Sequence, residues 1–285
     1  MSGTVFRTRS FAPSVSIVTG GGSGIGRAIA TELARRGSHV VVADLDGARA
    51  KQVADDLGER GSAAEVDVVD AEAVQALVAQ TAERHGRLDI MANNAGVAIG
   101  GLLEELDERH WAKALDVNLR GVINGVSAAY PVMSAQRSGH ILNTASLAGL
   151  IPAPAMLPYT TTKHAVVGLS TALRAEAASR GVRVSVLCPA FVDTPLLDEV
   201  YAAPASFGGG SSVRSRVRLM QPRFLTAELV AARAVDGLAS NKAVIPVGWL
   251  AHTLWRLNRY APPVARGLVQ AQVSAHRRLS RPSSS

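Results

Sequence analysis

Short runs rich in Val and Ile alternate along the chain with longer Ala-rich stretches whose apolar residues recur every three or four positions. The runs VSIVTG (15–20), HVVVAD (39–44), AEVDVVD (64–70), LDIMANNAG (88–96), GHILNTAS (139–146), VRVSVLCPA (182–190) and AVIPV (243–247) predict seven strands. Between them the spacing predicts helices over roughly 25–36, 49–57, 71–85, 108–126 and 159–179. Most of the strands are apolar without alternation, so both faces of their sheet are covered, which is the signature of parallel strands linked by helical crossovers.

This pattern predicts an α/β, Rossmann-like, doubly wound parallel sheet of about seven strands with helices on both faces. The ligand of such a sheet sits outside the C-terminal ends of the strands. A length of 285 residues and a hydrophobic content of 47% suffice for one large core. A single domain is expected over residues 1–285, with a core at about 14–248. The segment 200–223 interrupts the rhythm with APASFGGGSSVRSRVR and is expected to form a lid over the substrate. Residues 249–285 form a basic C-terminal extension.

Charge changes the picture only at that end. The formal net charge is +7, and no acidic residue follows Asp236. Lys242, Arg256, Arg259, Arg266, Arg277, Arg278 and Arg281 carry the whole excess, so the rest of the chain is neutral. Such an end suits an anionic partner or simply a solvated helix. No recognisable nucleic-acid module accompanies it, so nucleic-acid binding is not expected. The only cysteine, Cys188, excludes an internal disulfide and fits a reducing, cytoplasmic setting. The first residues have no apolar stretch of signal-peptide type, and no apolar run approaches membrane-spanning length. No cluster suggests a metal site.

TGGGSGIG (19–26) falls between the first strand and the first helix. Gly20, Gly24 and Gly26 permit a tight turn and a close backbone approach to a pyrophosphate, which would rest at the helix N-terminus beside Ser23 and Ile25. Asp44 ends the second strand, where a carboxylate can accept hydrogen bonds from an adenosine ribose and repel a 2′-phosphate. NAD is therefore expected in preference to NADP. A plain alternative is that Asp44 or Asp46 only caps the next helix.

In order along the chain, TGGGSGIG, Asp67 at the end of the third strand, NNAG (93–96), Asn118 in VNLRG, Ser146 in NTASLAG, YTTTK (159–163) and PAFVDT (189–194) resemble the motifs of the short-chain dehydrogenase/reductase family, in its compact single-domain branch. The resemblance covers about residues 14–195. It implies a catalytic set of Asn118, Ser146, Tyr159 and Lys163. Tyr159 would be the general acid/base, Lys163 would also bind the nicotinamide ribose, Ser146 would hold the substrate oxygen, and Asn118 would hold a relay water. Coenzyme contacts are implied for Asp67, Val68, Asn93, Ala95, Gly96, Pro189, Val192 and Thr194, with Asn94 chiefly structural. Physical chemistry agrees with the pairing. A phenol with an ordinary pKa near 10 needs help to act as a base, and a lysine four residues on shares its helix face and favours the phenolate. Only four of the 30 Lys and Arg residues are lysines, so a lysine at 163 is unusual for this chain. Pro189-Ala190 replaces the family's frequent Pro-Gly, which would cost about 1 kcal/mol if that position required a left-handed backbone.

Leu147, Ala148, Met156 and Phe191, with Leu150, Pro152 and Ala153, predict an apolar substrate pocket around Ser146 and Tyr159. A hydrophobic secondary alcohol or ketone of steroid, terpenoid or lipid type is expected. Arg214, Arg216, Arg218 and Arg223 support a rival, an NADP-dependent reductase of 3-oxoacyl thioesters on a phosphorylated carrier. A non-catalytic dinucleotide-binding scaffold is a further alternative, though it would have no need of all four catalytic residues. An extended-branch epimerase or dehydratase fits less well because its glycine spacing differs. The resemblance also implies a homo-oligomer, dimer or tetramer. In the extension, Trp249, Leu250, Leu254, Leu257 and Val264 interleave with arginines, which suits a helix over the pocket mouth, a subunit interface or peripheral contact with an anionic membrane.

Overall fold

A computed structural model describes residues 13–198, 201–202, 214, 217–218 and 221–279. The N-terminal twelve residues and most of the 200–223 connection, including the expected lid, lie outside the described residues. Seven strands form one parallel sheet: β1 (Val15–Thr19), β2 (His39–Asp44), β3 (Gly61–Glu65), β4 (Ile90–Asn93), β6 (Gly139–Thr144), β7 (Val182–Pro189) and β9 (Val244–Val247). Their order is β3-β2-β1-β4-β6-β7-β9. A two-residue ladder pairs β5 (Ile99–Gly100) with β8 (Tyr201–Ala202). The helices are α1 (Gly24–Arg35), α2 (Gly47–Asp56), α3 (Ala71–His85), α4 (Glu108–Leu115), α5 (Gly121–Gln136), α6 (Leu157–Ala177), α7 (Ala227–Ala239), α8 (Trp249–Tyr260) and α9 (Pro262–Leu279).

The two-residue period of a strand divides its side chains between two cores. Val18, Val40, Val42, Ile90 and Leu142 pack against α1, α2 and α7 on one face. Ile17, Val41, Ala43, Met91 and Ile141 pack against α3, α5 and α6 on the other. This is why the strands read as continuous apolar runs. Pro246 is tolerated within β9 because that strand is the sheet's edge. The order of strands reverses between β1 and β4, which opens a crevice at their C-terminal ends.

α7 and the β5–β8 ladder were not among the elements expected from the sequence, and two expected elements take a different form. The third strand is Gly61–Glu65 rather than 64–70, with Val66 N–H adding one further bond to Asp44 O. The Asp67 carboxylate accepts from Val69 N–H and Asp70 caps α3, and these local bonds turn the chain out of the sheet. The helix expected over 108–126 is two helices joined by a π turn at Asp116–Arg120, closed by Gly121 N–H on Asp116 O. Such a turn carries an extra residue that redirects side chains, and here it contains the buried Asn118.

Candidate active site

The glycine turn lies at the mouth of the crevice. Gly20 has φ of 61°, a region open to few side chains, and a Cβ there would come within 2.8 Å of Ala95 Cα. A Cβ on Gly26 would run into the Gly20 carbonyl. Backbone of the first turn of α1 is thereby packed directly under the loop. Ser23 precedes α1, but its hydroxyl makes no capping bond, and the helix has no acidic residue in its first turn. Its N-terminal N–H groups and the positive end of its dipole are therefore suited to an anion. Asp44 does not cap α2. Its carboxylate accepts from Gly22 N–H at 2.9 Å and Asp46 N–H at 3.0 Å, whereas Asp46 caps the helix through Arg49 N–H. Both acidic residues thus have separate duties.

Residues 93–97 link the glycine turn to the deeper cluster. Thr19 Oγ1 accepts from Asn94 N–H and Ala95 N–H, and Asn94 Nδ2 donates to Thr19 O and Gly20 O. Asn93 faces the interior, where it donates to Asn143, which donates to Ser170. A Cβ on Gly96 would lie 3.0 Å from Asn118 Oδ1 and 3.5 Å from Lys163 Nζ. Asn118 is committed to Val97, accepting from its N–H at 2.8 Å and donating to its O at 2.9 Å. Val68 is buried beside Asp67, and its carbonyl is held by Asn124 of α5, a contact with no signal in the sequence.

Ser146 follows β6 and lies against α6, which carries Tyr159 and Lys163 one turn apart. Ser146 lies close enough to Tyr159 to act on its phenol, while its hydroxyl accepts from Ala148 N–H at 3.2 Å. Burial pushes the Tyr159 phenol above its ordinary pKa, and the neighbouring Ser146 hydroxyl opposes the rise only in part. The expectation that Lys163 lowers it therefore fails in this state. Lys163 is only 3% exposed, and its ammonium donates to Thr144 O at 3.0 Å while standing 5.5 Å from the Tyr159 ring centre. Its own pKa is pushed down to about 8 by burial. The buried thiol of Cys188, on the neighbouring β7, is held up at about 12.

Pro189 ends β7, and residues 190–194 run along the crevice. Thr194 is buried, and its methyl would lie 3.2 Å from a Cβ on Gly24, so this segment touches the glycine turn. Ala190 has no positive φ, so the expected strain is absent. Gln221 was not singled out by its sequence. It is buried and grips Phe191, accepting from its N–H at 3.2 Å and donating to its O at 2.7 Å. Leu225 N–H also donates to Phe191 O, and Asp193 N–H to Leu225 O. Val192 is buried within this clasp.

The apolar residues divide into two walls. Ala148 and Met156 pack with Tyr159, Ala153 and Leu196. Leu147, Ala190 and Phe191 pack with Leu250, Ala251 and Leu254 of α8. Asn258 of α8 also donates to Leu150 O. Of the placements expected for the extension, α8 thus takes the one against the apolar residues around Leu147 and Phe191. Arg214 is engaged with Asp193, Asp198 and Thr194 O. Arg218 stands over the Phe224 ring at 5.7 Å.

A doubly wound parallel sheet with a glycine turn at its switch point and a buried Tyr-Lys pair flanked by a serine beside it defines a dinucleotide-dependent oxidoreductase architecture. The short chain dehydrogenase model matches residues 14–205. The chain belongs to the short-chain dehydrogenase/reductase family. A Burkholderia phymatum short-chain dehydrogenase/reductase crystallised with NAD is 33% identical, superposes with a TM-score of 0.79, and is matched over 90% of this chain and 96% of that one. The Mycobacterium tuberculosis protein called probable oxidoreductase EphD is 31% identical over 92% of this chain, but the chain spans only 46% of its length. The 3-oxoacyl-[acyl-carrier-protein] reductase FabG of Staphylococcus aureus is 36% identical over 64% of this chain and 76% of its own.

Proposed function

We propose that the protein is an NAD-dependent oxidoreductase that interconverts a hydrophobic secondary alcohol and its ketone. The observation that carries the reading is the buried pair of Tyr159 and Lys163 one turn apart on α6, with Ser146 beside the phenol, joined to the glycine turn through Ala95 and Gly96. The residues fit a nicotinamide dinucleotide: close-packed glycines, the uncapped Ser23, an α1 N-terminus free of acid, and Asp44 at the end of β2. When bound, that coenzyme supplies the hydride donor or acceptor. Ser23 and the first N–H groups of α1 would hold its pyrophosphate, Asp44 its adenosine ribose, and Asp67 and Val68 its adenine. Pro189, Val192 and Thr194 would flank the nicotinamide.

Tyr159, kept as a neutral phenol by burial, would give its proton to a carbonyl oxygen steadied by Ser146. Lys163 would restore that proton and hold the nicotinamide ribose. Asn118 would position residues 96–97 beneath it, since its amide bonds both the N–H and the O of Val97 and also donates to Thr162 Oγ1. Asp44 favours NAD, because its carboxylate stands where a 2′-phosphate would need a cation. The apolar walls favour a hydrophobic substrate. Acyl thioester reduction is the second reading, suggested by the FabG likeness. It is weakened because Arg214 is already bound by two carboxylates and Arg218 is placed over Phe224. A single domain, a dimer or tetramer, and a cytoplasmic site of action complete the proposal. Among the described residues no helix is long and apolar enough to cross a membrane.

The test is a panel of hydrophobic secondary alcohols and ketones, each with NAD(H) and NADP(H), followed by nicotinamide absorbance. Turnover with NAD(H) that falls about 10²- to 10⁴-fold in Tyr159→Phe, with NADH binding retained, is the expected result. Preference for NADP(H) would overturn the Asp44 assignment. NADH binding without any turnover would support a scaffold instead.

A further inference from the structure

The outer face of the C-terminal helices has no part in the site above. On α8, Trp249, Thr253, Arg256 and Tyr260 are all exposed, and at 3.6 residues per turn they fall within about 60° of one another. Trp249 is 65% exposed and Tyr260 79%. Arg259 flanks this stripe. On α9, which packs against α8, Val264 and Leu268 stand one turn apart at 55% and 56% exposure. Four of the ten large exposed hydrophobic side chains among the described residues therefore fall in this one stretch. Arg256, Arg259 and Arg266 form no ion pair among the described residues. The sequence from 237 to 285 contains seven basic residues and no acidic one.

We propose that this face docks on an anionic phospholipid surface. Exposed Trp, Val and Leu call for an apolar phase, and Trp and Tyr rings favour the headgroup boundary. The arginines call for fixed negative charge. A second copy of this chain supplies no such charge from the same face, since its own extension is also wholly basic, and a nucleic acid would leave the apolar stripes uncovered. The opposite side of α8 packs against Leu147 and Phe191, so docking sets the apolar pocket wall next to the lipid. The docking itself does not depend on the catalytic assignment.

Flotation of the full-length protein with vesicles of phosphatidylcholine alone, or mixed with phosphatidylglycerol, tests the proposal. Binding is expected only to the mixed vesicles, and it should weaken as salt is raised. Charge reversal in Arg256→Glu/Arg259→Glu should lower the partition coefficient at least about tenfold. Truncation in Trp249→Ala/Tyr260→Ala should lower it as well, with melting temperature and turnover in detergent-free buffer unchanged in both. Absence of binding to the mixed vesicles would overturn the proposal. So would binding that the four substitutions leave intact, or substitutions that instead dissociate an oligomer in sedimentation velocity, which would make the face a subunit contact.

Discussion

Replacing Lys163 by methionine should remove turnover and make the protein more stable. The lysine is buried, and its pKa falls from 10.5 in the open chain to about 8 in the fold. That gap corresponds to about 3 kcal/mol by which the fold disfavours the ammonium at neutral pH. Methionine fills similar space without charge, but Thr144 O loses a donor, which costs about 1 kcal/mol. A net gain of about 2 kcal/mol is left, a rise of several degrees in melting temperature for a chain of this size. The sign sets the pH window. Because the folded pKa of a base is depressed, the wild-type penalty is full below about pH 8 and fades as pH rises toward 10.5. Urea unfolding followed by circular dichroism at about pH 7 and about pH 10 measures both quantities. Lys163→Met should exceed wild type at the lower pH and approach it at the higher one. A variant no more stable at about pH 7, or one whose advantage persists unchanged at about pH 10, would refute the view that a strained cation is kept here for chemistry.

Gln221→Leu should raise the coenzyme KM about tenfold or more and lower thermal stability by about 2 kcal/mol, because both backbone groups of Phe191 lose a buried partner; an unchanged KM beside a lowered melting temperature would make the residue purely structural. His140 is buried, with a pKa pushed down to about 3 by burial and then by Arg183 and Arg174. The unfolded chain takes up a proton near pH 6.5 and the fold does not, so stability should fall by about 4 kcal/mol as pH drops from about 6.5 toward 3. His140→Phe should flatten that slope in acid titrations monitored by tryptophan fluorescence, and an equally steep loss would assign it to other groups.

The alternation of apolar runs and amphipathic stretches was enough to give the parallel, doubly wound type of the sheet, since its strands are apolar on both faces, while the strand order came only from the structure. It misjudged β3 because Asp67 and Asp70 bond to nearby N–H groups, a local competition that apolar periodicity does not register. It missed the π turn at Asp116–Arg120 because one inserted residue hardly alters the pattern, while the bonds from Asn118 to Val97 that accompany it span 21 residues.

The candidate chemistry divides in the same way. By itself the sequence determined the glycine turn, Asp44 at a strand end, and a tyrosine and lysine on one helix face, because each depends on residues close together in the chain. Only the tertiary structure decided the protonation tendencies of Tyr159 and Lys163, since burial within the folded core outweighs the attraction between two groups whose charges stand apart. It alone brought Gln221 onto Phe191 and α8 against Leu147, contacts made by packing across 30 and more residues. Spacing along the chain settles which side chains share a helix face or a turn. Desolvation and long-range contact depend on what the rest of the chain places around them.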